Sequence, residues 1–339
     1  MVFLRRLVVF IIILVVILVG IGLFLPSTIK VQRSITIDAP KSFIFTRLNS
    51  FKTFNEWSPW AHIDPDTQFQ YSGPDYGVGA RIEWQSNNPN VGSGSQEIIT
   101  STPYSELEIA LDFGPEGQAN STWTLSEAPQ GTNVAWTLNM DFGNNILGKY
   151  IGLMMDGMVG KDFEKGLSSL KQNIEKLPHQ EFNSLDIELI NTQALTAVAI
   201  QVETHADGIT MARDLSHAFA ELMTFISAQN IQLTGMPIAI TRKWNPDSGW
   251  IFDAALPVSP ETTITGDTHF TLIRTYAGKA VRAIQVGPYS DAEKTYPLIF
   301  SYMAAMGLKQ SDDSWEAYIN NPATVDESEI LTEIYFPVK

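Results

Sequence analysis

Ala199-Ile200-Gln201-Val202 recurs further along the chain as Ala283-Ile284-Gln285-Val286, and the same order of elements follows each copy. A turn comes first, then a helix, a glycine and a return to strands. The first helix carries Leu215, Phe219, Leu222, Met223 and Ile226 and ends near Gly235; the second carries Tyr296, Ile299, Phe300 and Met303 and ends near Gly307. Four identical residues carry little weight alone, but a matching succession of elements points to duplication. The reading is two β-α-β-β halves related by an approximate twofold axis, with a cleft between them.

The strands that close the second half hold the candidate site. In 315–319, Glu316 and Tyr318 share one strand face, opposite Trp315, Ala317 and Ile319. In 331–338, Glu333 and Tyr335 share a face opposite Ile334, Phe336 and Val338. If both apolar faces meet the helices, two carboxylates and two phenols lie together on the other side. A carboxylate among aromatic rings attracts a cation through its charge and the ring faces; once desolvated, it also suits general acid/base work. The competing reading is a pair of solvated glutamates on an exposed sheet face. Gly287-Pro288-Tyr289 reads as a turn holding Tyr289 against the sheet.

Residues 186–339 resemble the effector-binding domain shared by DNA-gyrase-inhibitor-like proteins and several multidrug-responsive transcription activators. The resemblance is carried by Gly287-Pro288-Tyr289, the helix from Tyr296 to Gly307, Trp315-Glu316-Ala317-Tyr318 with Asn321-Pro322, and the terminal Thr332-Glu333-Ile334-Tyr335-Phe336-Pro337-Val338-Lys339. It implies that Glu316 points into an aromatic-walled pocket for bulky, often cationic molecules. Some relatives instead hydrolyse electrophilic small molecules. The activators also carry a helix-turn-helix domain, and nothing here resembles one, so direct transcriptional control is not expected.

Upstream, Pro178 and the short 178–185 segment read as a linker. Before it, residues 30–177 alternate polar and apolar positions in several runs. Ala80, Ile82 and Trp84 form one; Leu107, Ile109, Leu111 and Phe113 another; Val134, Trp136, Leu138, Met140 and Phe142 a third. Turn sequences such as Gly73-Pro74-Asp75 and Pro129-Gln130-Gly131 separate them, giving a curved antiparallel sheet. A short helix starts after Asp38 and Pro40. A long one carries Phe163, Leu167, Leu170, Ile174 and Leu177 on one side.

The order strand, short helix, antiparallel sheet and terminal helix is that of the helix-grip architecture. With Val31-Gln32-Arg33-Ser34-Ile35-Thr36-Ile37-Asp38-Ala39-Pro40, Trp57-Ser58-Pro59-Trp60 and Phe163-Glu164-Lys165-Gly166-Leu167, this region resembles the START-like superfamily, in its polyketide cyclase/dehydrase-type branch. The resemblance implies an apolar cavity for lipid- or polyketide-like ligands, with Trp84, Trp123, Trp136, Phe113, Met154, Met155 and Met158 as candidate lining. Plain core is the alternative for such side chains. His62 and Asp64 sit in a loop with no partner at a recognisable spacing.

The chain begins differently. Leu7 to Leu25 is an unbroken run of Leu, Val, Ile, Phe and Gly, spanning roughly 28 Å as a helix. The preceding Arg5 and Arg6 favour a cytoplasmic start, opposed by Lys30 and Arg33 on the far side. A cleaved signal peptide is the rival, but Gly22-Leu23-Phe24-Leu25-Pro26 offers no small-x-small cleavage site. The expectation is a signal anchor over 1–29, single-pass in a bacterial inner membrane, with periplasmic domains. The absence of cysteine suits an oxidising compartment.

The full chain has 339 residues and a formal charge of −15, and residues 1–30 hold three basic residues and no acid. The remainder therefore carries −18, which disfavours nucleic acid. No metal or cofactor is expected, because the histidines are scattered and no phosphate-cradling glycine motif is present. His205 with Asp207 is the nearest approach and reads as turn chemistry.

The expected fold class is α+β: an N-terminal transmembrane helix, a helix-grip antiparallel sheet domain, then the duplicated domain. The leading functional expectation is a membrane-anchored binder of apolar or amphipathic small molecules. A hydrolase using Glu316 with Tyr289 or Tyr318 is the first alternative, and an envelope protein-interaction module, its protein partner unknown, is the second.

Overall fold

The apolar run forms α1 (Val2–Phe24), whose large side chains from Phe3 to Leu23 are 42% or more exposed on every side. Such a helix has no face to bury in water. The structure, a computed structural model, describes residues 2–61, 63–266 and 269–339. The chain divides into a first unit through Glu181, which takes in Ala305–Gly307, and a second of Phe182–Ala304 with Leu308–Lys339.

In the first unit β1 (Thr28–Ile37) leads to α2 (Lys41–Leu48), entered through Pro40 in an extended conformation. The strands β2 (Gln68–Ser72), β3 (Arg81–Gln85), β4 (Ser93–Thr102), β5 (Glu106–Asp112), β6 (Gln118–Glu127) and β7 (Thr132–Asp141) follow. The antiparallel sheet runs β1-β7-β6-β5-β4-β3-β2. Across it lies α3 (Ile146–Ile174), started by the Asn145 side chain accepting the Gly148 amide. Phe163, Leu167, Leu170 and Ile174 are all buried, as their spacing requires. The helix starts well before that apolar stripe and stops short of Leu177.

The second unit contains β8 (Asp186–Thr192), β9 (Thr196–Thr204), α4 (Gly208–Ala228), β10 (Ile238–Asn245), β11 (Gly249–Val258), β12 (Thr271–Arg274), β13 (Gly278–Val286), α5 (Ala292–Met306), β14 (Trp315–Tyr318) and β15 (Leu331–Pro337). Asp207 is the N-cap of α4, accepting the Thr210 amide, so the turn reading of His205-Asp207 resolves into a helix start. The sheet order β12-β9-β11-β10-β14-β15-β13-β8 reads the same from both ends when β8 is matched to β12, β9 to β13, β10 to β14 and β11 to β15. Each half thus has a leading strand that sequence reading omitted, paired to the other half: β8 with β13, and β12 with β9.

The tetrapeptide that first suggested duplication is out of phase. Ala199 is cross-strand to Ala255 and packs with Trp315 and Ala317, whereas Val198 and Ile200 meet the α4 residues Leu222 and Ile226. Ala283 is cross-strand to Ile334, itself opposite Glu316 on the face that carries α5. Ala199 and Ala283 therefore point to opposite faces, as an odd offset requires in a strand of period two. The duplication is in the topology; the four shared letters are coincidence.

Candidate functional site

Glu316 sits on β14, near the middle of the eight-stranded sheet, beside Ala239 on β10 and Ile334 on β15. Its carboxylate accepts the Tyr296 hydroxyl from α5 at 2.5 Å and the Tyr318 hydroxyl at 2.9 Å. The Tyr318 ring meets Phe219 of α4 edge-on at 5.8 Å and Tyr289 at 5.5 Å. Both helices thus contribute an aromatic wall to one carboxylate. Gly287, at φ 116, makes the turn that delivers Tyr289, and Gln285 fixes it by donating to the Pro288 carbonyl at 2.9 Å.

Among the described residues no lysine or arginine pairs with Glu316. Its neighbours are phenols that burial, and then the Glu316 charge, push well above their ordinary range at Tyr318 and Tyr296. Tyr289 is raised for the same two reasons. Such phenols stay protonated and act as donors, not as bases or nucleophiles.

Glu333 is placed otherwise. It is cross-strand to Ala317, so it and Tyr335 lie on the sheet face away from α4 and α5. The expectation that both glutamates share a site away from the helices is corrected: Glu316 and Tyr318 turn toward the helices, while Trp315 and Ala317 turn away. The strand with the polar pair inward, β14, is one of the two central strands of the sheet. Glu333 accepts Tyr335 Oη at 2.5 Å and Arg282 at 3.3 Å, and Arg282 also reaches Glu188 at 2.6 Å. Tyr335 stacks on Trp315 at 4.7 Å.

In the first unit the candidate lining residues fall into three places. Trp136 is sandwiched between Trp123 at 4.4 Å and Phe163 at 3.8 Å, with its indole N–H donated to Ser121 at 2.9 Å. Trp57 closes the pile edge-on to both tryptophans. Gly166 lets Trp136 lie against α3, since a Cβ there would sit 2.9 Å from the ring. These rings occupy the space they were expected to line. Trp84 lies toward the β2 edge, edge-on to Phe113 at 6.1 Å. Met154 and Met158 point outward and are exposed, and Met155 is half-buried, so the two outer methionines do not line an interior. Asp64 accepts from Ser86 and the Asp66 amide; His62 lies outside the described residues.

Residues 28–175 match the family described as polyketide cyclase / dehydrase and lipid transport, and residues 186–339 match the GyrI-like small molecule binding domain. The chain is a START-like domain followed by a GyrI-like domain. No curated protein matches it. Solved structures similar to it include a hydrolase from Listeria innocua, 16% identical with a TM-score of 0.36, covering 45% of this chain and 91% of that one. The EcmrR C-terminal domain is 16% identical with a TM-score of 0.38, covering 46% and 98%. An EcmrR–DNA complex is 14% identical with a TM-score of 0.41, covering 59% and 86%.

Within the GyrI-like domain, Tyr296 and Phe219 stand at the candidate site, where sequence reading assigned them to the helix cores. The only available signal was a hydroxyl at a helix position otherwise held by Ile299, Phe300 and Met303. Arg282 was likewise missed as the counter-charge of Glu333. Among the described residues no cluster of His, Asp and Glu has the geometry to hold a metal ion.

Proposed function

We propose that the GyrI-like domain binds a bulky, amphipathic organic cation in the cleft between α4 and α5, and that α1 anchors the chain in a membrane. The observation that carries the ligand reading is Glu316: a carboxylate met by two neutral phenol donors, ringed by Tyr289, Tyr318, Tyr296 and Phe219, and lacking a cation. A positive ligand supplies the missing charge, and the ring faces add cation–π attraction of about 0.5–2 kcal/mol each. The alternative use of Glu316, as a general base in hydrolysis with Tyr289 or Tyr318, is less well supported, because both carboxylate oxygens are occupied and the phenols hold their protons.

The START-like domain belongs with lipid-type ligands by family, and Trp84 and Trp136 remain its candidate contacts. Opening a site at Trp136 requires separating stacked rings. The anchor reading rests on the length and apolarity of Phe3–Phe24, with the domains on the periplasmic side of a bacterial inner membrane by the Arg5-Arg6 bias.

The test is calorimetry of the detergent-solubilised chain with tetraphenylphosphonium and with neutral triphenylphosphine oxide. The cation is expected to bind and the neutral analogue to bind at least about tenfold more weakly, a difference of ~1.4 kcal/mol. Glu316→Gln should remove most of that preference. Equal affinity for both compounds, or no effect of Glu316→Gln, overturns the reading.

A further inference from the structure

The two halves of α3 are built differently. From Phe163 onward its inner face is apolar and its outer face is polar. Earlier, the outer face is apolar too: Leu147, Ile151, Met154 and Met158, spaced 4, 3 and 4, are 70%, 46%, 65% and 59% exposed. The same angular stripe continues as Lys161, Lys165, Ser169 and Gln172, so its chemistry changes within one turn. The opposite side of this first half is already used. Gly148 and Gly152 bring the backbone against Phe142 and Ile29, and Asp156, the only acid between Ile146 and Gly160, lies on that side, where it pairs with Arg33 at 2.9 Å while staying 66% exposed.

What this apolar stripe faces is indicated by α1. Tyr150 donates its hydroxyl to the Leu18 carbonyl at 2.7 Å, and Gly22 lies so close to Ile146 and Tyr150 that a Cβ there would be 2.4 Å from an Ile146 methyl. Leu18 is six residues before the end of α1 at Phe24, about 9 Å along the helix axis. The first turns of α3 therefore cross α1 below its exit point, at a level that belongs to the hydrocarbon if α1 spans the bilayer.

We propose that Ile146–Val159 is a second membrane contact, a helix segment lying in the leaflet that α1 leaves, with Leu147, Ile151, Met154 and Met158 in the acyl region. Lys161 and Lys165 mark its boundary, where long cationic side chains reach headgroups while their stems stay apolar. The proposal rests on reading α1 as an anchor, but it goes further: it fixes the START-like domain on the bilayer surface instead of leaving it on a tether.

The chain has no cysteine, so single cysteines give unique labels on the full-length protein. Val16→Cys in α1, Met154→Cys and Ser169→Cys would each carry an environment-sensitive fluorophore, in vesicles of phosphatidylethanolamine and phosphatidylglycerol. Each is quenched in turn by acyl-chain nitroxide lipid and by aqueous iodide. Positions 16 and 154 are expected to be quenched several-fold more by the lipid nitroxide, and position 169 by iodide. If 154 behaves like 169 while 16 stays lipid-quenched, the proposal is overturned and the anchor stands. If 16 is not lipid-quenched, the anchor reading fails and takes the proposal with it. Protection of 154 from both quenchers would mean that protein, such as a second copy of the chain, covers the stripe, and would also overturn it.

Discussion

Glu316-Ala317-Tyr318 and Glu333-Ile334-Tyr335 are the same three-residue pattern on adjacent strands, yet they do opposite things. The register of β14 on β15 sets Glu316 beside Ile334 and Ala317 beside Glu333, so the two glutamates emerge on different faces. Each has a tyrosine two residues on that donates to it. The difference lies in what stands across the sheet. Glu333 finds Arg282 on β13, a cation within the fold that it shares with Glu188. Glu316 finds only Tyr296. A carboxylate with an internal cation is a structural element; a carboxylate with phenols alone is a position awaiting a cation.

The comparison breaks most visibly at Arg282. Removing it in Arg282→Ala leaves Glu188 on β8 and Glu333 on β15, on either side of β13, without the cation they share. A fully buried pair would cost 3–5 kcal/mol and an exposed one under 1. With these side chains roughly a quarter to a half exposed, the expected loss is about 2 kcal/mol. Hydrogen exchange of the β13 and β15 amides in the detergent-solubilised chain reads this locally, which suits a chain of two units. Adding Glu333→Gln should return part of the loss. An unchanged exchange rate in Arg282→Ala would mean that the helix-free face does not depend on the cluster.

The next effect belongs to the other face and appears only in alkali. Tyr318 is 8% exposed, and its folded pKa is raised well above the unfolded value of about 10. Below pH 10 both states hold the proton and stability is flat. Above it the unfolded state loses the proton first, so stability falls as pH rises, by about 1.4 kcal/mol per unit for this one tyrosine, until the folded pKa is passed. Tyr318→Phe removes that contribution. Pulse proteolysis in urea between pH 9 and 11 should show the variant declining less steeply than the parent (the window follows from the unfolded pKa). Parallel slopes would show that the hydroxyl is not held in its neutral form.

Much of this architecture was legible in the residues. Phe163, Leu167, Leu170 and Ile174 fixed the buried face of α3, and Val134, Trp136 and Leu138 that of β7. Element order alone exposed the duplication, even though the tetrapeptide that drew attention to it proved out of phase. What could not be read was register. Whether Glu316 and Glu333 share a face depends on which residue stands opposite which, and one strand's alternation says nothing about its neighbour's offset. The same limit hid Arg282, whose role exists only because register sets β13 so that it reaches Glu188 on β8 and Glu333 on β15. Alternation also placed Trp136 on an inner face without showing that it stacks on Trp123. Met154 and Met158 suit a cavity lining by residue type and by the START-like resemblance, but neither, unlike helical phase, says which way a side chain points.

The smallest effect separates the two glutamates most sharply. Glu316→Gln keeps an amide oxygen for one phenol and removes a half-buried charge that has no internal cation. The lost charge-assisted bond and the relieved desolvation offset each other, and the local stability of β14 should change by less than about 0.5 kcal/mol. Glu333→Gln takes the charge from a carboxylate that Arg282 needs, and should cost about 1 kcal/mol at β15, with Glu188 holding the guanidinium in place. The order matters more than either value. If hydrogen exchange shows Glu316→Gln to be the costlier change, Glu316 serves mainly to tie Tyr296 on α5 to Tyr318 on β14. The cleft would then be a closed hydrogen-bonded seam, and a ligand would have to break those bonds instead of supplying a missing charge.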